Sequence, residues 1–359
     1  MKASLSKKQR FFNQIRLTKD DDLYVGIDVH KATYHVALYL NGSHAIDFVT
    51  PADNDNICQT LKKLQPAIKK IVYEAGPTGY SLARALQEQL LPVQVIAPTK
   101  TPGTSARDSK TDRLDGRKLA EYAAKGLLRP IAIPTCRQEA DRQLPRLRVQ
   151  FVEKLKQTKL QIKSFLLQHG IQDSQRWSQR DIEKLSKLKL LDSLRYTLDM
   201  LIAEYNFLKE KIKDIEQKLE TTFAKATHAE KVKILQTHPG VGSVTSMMFA
   251  AELFNPKRFN NKEEIAKYVG LAPTIIQSGR SLRDGPISKT GRPQLRSTLI
   301  QAAWVWIAKD SQARQVYLRI ARNTGQKNKA ITAMARRLAI HLWKMLCNNE
   351  PYRKIRVIC

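Results

Sequence analysis

Cysteine is scarce. The 359 residues hold four, at Cys58, Cys136, Cys347 and Cys359, with no C-x-x-C pair and no histidine spaced to complete a zinc site. That pattern excludes a disulfide scaffold and a zinc finger, and it fits reduced thiols of a cytoplasmic protein. The seven histidines show no ligand spacing either. No apolar run reaches the roughly 18 residues of a spanning helix. The N-terminal stretch is basic, then acidic, without the apolar centre of a secretory signal, so neither a membrane span nor export is expected. No G-x-x-x-x-G-K-[ST] loop is present, which removes the usual means of holding a nucleoside triphosphate. Acidic residues are also short: 33 against 62 Lys and Arg, a formal charge of +29 and a pI near 10.0. Such an excess is a statement about partners, and it points to a polyanion, with DNA or RNA as the default.

The acids that are present stand in telling places. Leu23-Tyr24-Val25-Gly26-Ile27 reads as a short buried strand that ends on Asp28. A carboxylate there is costly to bury unless it is paired or holds a cation. Glu74 closes a second apolar run, Ile71-Val72-Tyr73, and Asp112 and Asp115 lie in KTDRLDGRKLA where a helix begins. Singly, each of these is an ordinary turn or first-turn acid. Together, in this order and on these element types, they form a hard oxygen site suited to Mg²⁺. In a basic protein such a site suggests phosphoryl transfer on nucleic acid.

The length allows two or three domains. Residues 1–22 read as a flexible basic arm. From 23 to about 130 the pattern is mixed. Strands are expected at 34–40 and 44–50 around an Asn41-Gly42 turn, then at 70–75 and 93–97. Helices are expected at 54–66, at 81–90 and from Asp112 to about Lys125, and 99–110 is a basic Gly/Ser/Thr loop. The order βββαβαβα is that of a ribonuclease-H-like (RuvC-like) domain, which brings its strand-end and helix acids near one another.

Residues 137–223 are almost continuously helical in character. Leu191, Leu194, Leu198, Leu201, Tyr205, Leu208, Ile212, Ile215 and Leu219 form a heptad seam, and Phe151, Leu155, Ile162 and Phe165 are a matching stripe. An intramolecular helical hairpin and a dimer coiled coil both satisfy this pattern. Residues 230–359 form a third, mostly helical region. Pro239-Gly240-Val241-Gly242 resembles the turn of a helix-hairpin-helix, with backbone N–H groups at Gly240 and Gly242 able to meet a phosphate. The stretch that follows 270 reads as a polar Gly-rich loop up to a helix from Pro293. Residues 280–359 hold 17 Lys and Arg against 3 Asp and Glu. Arg336 and Arg337 share a helix there with Trp343, a density of charge that favours phosphate contact.

A second chemical centre lies in QSGRSLRDGPISKTGRPQLR. Arg280, Arg283, Lys289, Arg292 and Arg296 surround three serines, Ser278, Ser281 and Ser288. Cations of this kind would stabilise a pentacovalent phosphorane, and the glycines let backbone approach closely. The surroundings do not distinguish the serines.

GIDVHK, YEAGPTGY, KTDRLDGRKLA, the PGVG turn, YVGLAP and SG…ISKTGRPQLR, in that order over about residues 23–345, resemble the DEDD-type insertion-sequence transposases of the IS110 family, and more narrowly its IS1111 branch. The resemblance implies a RuvC-like domain whose tetrad Asp28, Glu74, Asp112 and Asp115 holds Mg²⁺. It implies a coiled coil that mediates a homodimer or homotetramer on donor and target DNA. It also implies a serine nucleophile, which falls on Ser278 because the motif places it directly before Gly. The serine would form a covalent phosphoserine link to DNA, with strand exchange through a four-way junction. A non-coding RNA from the element would guide site choice. The expected compartment is cytoplasmic and nucleoid-associated. Gly116 departs from the Ala common in the family, and Gly favours helix less. Two other readings fit parts of the pattern: a metal-only RuvC-like nuclease or Holliday-junction resolvase, and a non-catalytic nucleic-acid-binding scaffold.

Overall fold

The computed structural model describes residues 7–98, 112–172, 177–278 and 281–353, with side chains at all of these except 7, 112–114, 226, 275–278 and 281–284. The chain divides into two compact units, Met1–Pro134 and Thr135–Cys359.

The first unit is built on a six-stranded mixed sheet. Strands β1 (Leu23–Val29), β2 (Thr33–Leu40) and β3 (Ser43–Pro51) form an antiparallel meander. On the other side of β1, β4 (Ile68–Glu74) and β5 (Val93–Ile96) pair in parallel, and β6 (Pro130–Ile131) closes the edge antiparallel, in the order β3-β2-β1-β4-β5-β6. The β2–β3 turn takes φ of +47° at Asn41 and +84° at Gly42. Two successive positive φ values are what a tight two-residue hairpin needs, and Asn-Gly tolerates them.

Alternation along β1 divides its side chains between two faces. Leu23, Val25 and Ile27 are fully buried with Ile71, Tyr73 and Val95. They pack against helices α2 (Asn54–Lys62) and α3 (Ser81–Glu88) through Ile57, Leu61, Leu82 and Leu86. The opposite face carries Tyr24, Val72 and Ile96, covered by Leu119 and Ala123 of helix α4 (Asp112–Ala124). Helix α4 approaches β1 backbone to backbone. A Cβ added to Gly26 would lie 2.0 Å from the Gly116 carbonyl oxygen and 2.7 Å from the Ala120 nitrogen.

The expected flexible arm is in part structured. Lys7–Gln14 form helix α1, because Phe11 and Phe12 have apolar surface to bury. Phe12 packs edge-on against Phe48 of β3 with centroids 5.9 Å apart.

The second unit is mostly helical. Helix α5 (Cys136–Gln168) starts at a capping box of Thr135 and Gln138, and α6 (Gln179–Ser186) leads to α7 (Asp192–Phe223). Helices α5 and α7 run antiparallel. Ile162 and Leu166 meet Leu198, Ile202 and Tyr205 at one end, and Leu144 and Phe151 meet Ile215, Leu219 and Phe223 at the other. From Leu198 onward the seam is therefore spent largely within the chain, as the intramolecular hairpin reading expects. The remaining elements are α8 (Ala226–Gln236), α9 (Ser243–Leu253), α10 (Lys262–Tyr268), strands β7 (Pro273–Ser278) and β8 (Ser281–Ile287), α11 (Pro293–Lys309), α12 (Ser311–Thr324) and α13 (Lys327–Asn348). The stretch expected as an irregular loop is thus a β-hairpin, with Pro273 opposite Ile287 and Ser278 opposite Ser281. Gly285 and Pro286 in its second strand break the alternation that would have announced it. Among the described residues no helix is long and apolar enough to cross a membrane.

Two histidines of this unit pack together, His238 buried and His341 half-buried. His238, 1% exposed, packs against Trp306 at 4.9 Å and Tyr352 at 4.4 Å between centroids, with His341 at 6.0 Å. Burial first, and then the neighbouring His341, pushes His238 down to about 3, although Asp310 pulls the other way. Burial, then Arg337 and Lys344, pushes His341 down to about 4. Nearby, burial works to raise Asp310, but hydrogen bonds from the Ala313 and Gln312 N–H groups, the Tyr352 hydroxyl and the Trp306 indole hold it below the usual carboxylate range.

Two outcomes follow from this packing. Gly26→Ala drives a methyl into the α4 backbone and should cost about 3 kcal/mol or more. Gly116→Ala meets nothing closer than 3.4 Å and should be nearly neutral, which also explains why Ala is compatible there. Urea unfolding followed by far-UV circular dichroism compares the two, and equal losses would contradict the close approach. The second outcome concerns pH. Both histidines stay neutral in the fold, whereas an unfolded chain protonates near pH 6.5. The unfolded state then binds more protons as pH drops from about 6.5 toward 4, so stability must fall over that window. All four tryptophans lie in the second unit, so tryptophan fluorescence reports its melting. The midpoint should drop between pH 7 and 5, and His341→Leu should flatten that dependence.

Candidate active site and nucleic-acid interface

The parallel β1–β4 register sets Ile27 beside Tyr73. One residue further, Asp28 and Glu74 stand at neighbouring strand ends. Ile27 and Tyr73 are buried on the α2/α3 face, so alternation turns the two carboxylates to the face that α4 covers. Asp115 precedes Gly116, the residue whose backbone rests on Gly26. Asp112 opens the same helix one turn earlier, and its side chain lies outside those described. The fold thus brings Asp28 and Glu74 together by register and sets the acidic end of α4 over β1. Among the described residues, no group of three or more His, Cys, Asp or Glu is close enough to hold a metal ion. The donor set, carboxylate oxygens alone, has the hardness that Mg²⁺ or a similar divalent ion takes.

Two histidines join this face, and the sequence reading had passed over both. His30 Nε2 lies 3.0 Å from Asp28 Oδ2, with Asp28 only 24% exposed. His35 is directly opposite Asp28 in the β1–β2 register, and its ring meets that of His30 at 5.3 Å. His30 stands two residues after Asp28 in GIDVHK, and that spacing was its available signal. Further along the same face Asp47 accepts from the Arg117 guanidinium, which it holds above its ordinary pKa, and lies 2.6 Å from His44 Nε2. Asp47, His35, Ala37, Val49 and Gly116 line an open cleft of about 350 Å³.

In the second unit, Ser278 ends β7 opposite Ser281, and Arg283 pairs with Ile276. The side chains of Ser278, Ser281 and Arg283 lie outside those described, as does Arg280. Ser288, the third candidate, is 3.1 Å from the Thr290 hydroxyl and donates its N–H to Ala272 O. Lys289 takes a φ of +56°. Arg292 precedes α11, and Arg296 reaches back to the Lys289 carbonyl at 3.4 Å. Arg336 is half-buried on α13, and Arg337 is exposed.

The Pro239–Gly242 turn joins α8 to α9, but its glycines differ in role. A Cβ on Gly240 would lie 2.6 Å from Trp306 Cβ and 2.7 Å from the Ala302 carbonyl, and its N–H faces His238 Nδ1 at 3.3 Å. Gly240 is thus a packing glycine with an engaged amide. Gly242 caps α9 without a side-chain bond, and a Cβ there would meet only open space. It borders a cleft of about 390 Å³ lined also by Arg148, Thr245, Thr298, Gln301 and Lys309.

Comparison with known proteins gives the family. Residues 25–171 match the DEDD transposase family of IS110 type, and residues 232–318 match the transposase IS116/IS110/IS902 family. The transposase of insertion sequence element IS1533 from Leptospira borgpetersenii is 27% identical, over 92% of this chain and 98% of its own length. The transposase of element IS1111A from Coxiella burnetii is 26% identical, over 95% of this chain and 94% of its own. These near-equal identities do not single out a branch. A DEDD domain implies a divalent metal, and a transposase implies DNA as partner. The chain belongs to the IS116/IS110/IS902 family of insertion-sequence transposases, enzymes of DNA phosphoryl transfer.

Proposed function

We propose that the protein recombines donor and target DNA of an insertion sequence through a covalent phosphoserine intermediate, in a Mg²⁺-dependent reaction. The observation that carries this reading is the placement of Asp28 and Glu74 at neighbouring parallel strand ends, under the helix that bears Asp112 and Asp115. These four would hold one or two Mg²⁺ ions, which when bound supply charge stabilisation at a scissile phosphate. The Ser278 hydroxyl attacks in line. An Oγ–P bond forms as one P–O ester bond of the DNA backbone breaks; the serine proton passes to solvent, and the leaving oxygen takes a proton from solvent to become a free DNA hydroxyl. The bond energy stays in the phosphoserine, so rejoining needs no nucleotide cofactor. Arg280, Arg283, Lys289, Arg292 and Arg296 are the cations nearest in sequence to the developing charge.

DNA contact is assigned to the α8–α9 helix-hairpin-helix-like element through Gly242, and to the basic face that includes Arg336 and Arg337. A self-assembling coiled-coil region is assigned to α5 and α7. Tyr196, Met200 and Phe207 of α7 are more than half exposed at 69%, 54% and 54%, outside the buried seam, and a second copy would cover them. A homodimer or homotetramer follows from that reading. Guidance by an element-encoded RNA, and a cytoplasmic, nucleoid-associated setting, complete it; the charge of +29 suits both polyanions.

Ser278→Ala should abolish the protein–DNA adduct and recombination while leaving nucleic-acid affinity within about twofold. Denaturing gels of labelled element-end DNA read the adduct. Recombination by Ser278→Ala would sink the nucleophile assignment, and cleavage by the wild type with no adduct would favour the metal-only nuclease. Asp28→Ala should remove the Mg²⁺ dependence together with cleavage, measured by titrating the metal. Full activity in that variant would support the scaffold reading. Sequencing the RNA that co-purifies with protein expressed from its native flanking DNA tests guidance, which requires one discrete transcript.

A further inference from the structure

YVGLAP is one of the six motifs of the sequence, and the chemistry above gives it no task. In the fold it forms the root of the β7–β8 hairpin. Tyr268 O accepts the Arg292 N–H at 3.2 Å, and Ala272 O accepts the Ser288 N–H at 2.9 Å. Between these bonds Gly270 and Gly291 touch. A Cβ on Gly291 would lie 2.3 Å from the Gly270 nitrogen and 2.4 Å from Tyr268 O, and Gly270 itself sits at a φ of +72°. The two chain ends that enter and leave the hairpin are therefore locked backbone to backbone.

That lock bears on the tip. A lone two-stranded hairpin is marginally stable, so its direction is set where it is anchored. From Pro273 to Ser278 is five residue steps, about 17 Å at roughly 3.4 Å each. A tilt of about 3° at the root then moves the tip by about 1 Å, a displacement that can cost on the order of a hundredfold in rate.

The root is in turn held by a buried polar cluster. The Tyr268 hydroxyl lies 2.9 Å from Glu252 O and 3.3 Å from Glu252 Oε2. Glu252 is 1% exposed, and Arg146 of α5 grips its carboxylate with two bonds, Nε to Oε1 at 2.7 Å and NH2 to Oε2 at 3.0 Å. The Tyr268 ring meets Phe259 at 5.2 Å and lies 4.8 Å from the Arg258 guanidinium. A buried ion pair is a poor source of net stability, because both ions lose their water; its use here is to fix one geometry.

We propose that Tyr268 is a positioning residue for the serine at the hairpin tip. Its hydroxyl on Glu252 and its carbonyl on the Arg292 N–H hold the hairpin root at the angle that delivers the tip to the scissile phosphate. The inference rests on Ser278 as nucleophile, and its test keeps the two apart. Full-length wild type, Tyr268→Phe and Ser278→Ala are compared in single-turnover adduct formation against DNA concentration, with melting temperature measured alongside. Tyr268→Phe should lower the rate at saturating DNA tenfold or more. The half-saturating DNA concentration should stay within twofold and the melting temperature within a few degrees. Wild-type rate in Tyr268→Phe, with Ser278→Ala blocked, overturns the positioning role and leaves the nucleophile standing. A rate loss matched by weaker binding or an early melt means a structural tyrosine only, and also overturns it. Adduct formation by Ser278→Ala removes the nucleophile, and the inference with it.

Discussion

The first unit depends on one close approach, that of the α4 backbone to β1 at Gly26. With no side chain at that point, the helix settles directly on the strand. Leu119 and Ala123 then reach Val72 and Ile96, and the acidic start of α4 comes down on the face that carries Asp28 and Glu74 near the ends of their strands. Any larger residue at Gly26 would lift the helix, and its carboxylates would leave with it. Gly116, on the helix side, has room for a methyl group, so the close approach depends on Gly26.

The second unit uses the same device twice more. Gly240 lets the α8–α9 turn press onto Trp306 of α11, and Gly270 meets Gly291 at the hairpin root. In each case backbone approaches its neighbour where a Cβ cannot fit, and polar side chains wholly or partly withdrawn from water lie next to the contact. His238 and Asp310 sit beside the first contact, Tyr268 and Glu252 beside the second. Polar groups in such places constrain direction as well as position, which apolar packing does poorly. A transposase has reason to want this, since in-line phosphoryl transfer depends on alignment and on stabilising charge.

Much of the fold was legible in the sequence because its signals are local. Strand alternation and Asn41-Gly42 marked the meander, and periodic leucines marked α7. The helix at Asp112 was marked by the acids at its start. What was missed needed pairing information. The β7–β8 hairpin carries Gly and Pro in its second strand, so it read as a loop. His30 and His35 drew no notice because cross-strand register, not spacing, brings them to Asp28. Gly240 and Gly242 looked equivalent as amide donors, yet one amide faces His238 and the other borders a cleft. The leucine seam told its period but not its partner, since periodicity lies along one chain and a partner lies across space.

By itself the sequence determined the class of partner, through a charge no local structure could neutralise, the order of strands and helices between residues 23 and 124, and the family, through six motifs in series. The tertiary structure decided which carboxylates share a face, which glycines admit a neighbouring backbone, and what Tyr268 holds. The physical reason is the range of the interactions. Charge and periodicity are summed along the chain, whereas register, close contact and buried hydrogen bonds exist only between segments far apart in sequence that folding has brought together.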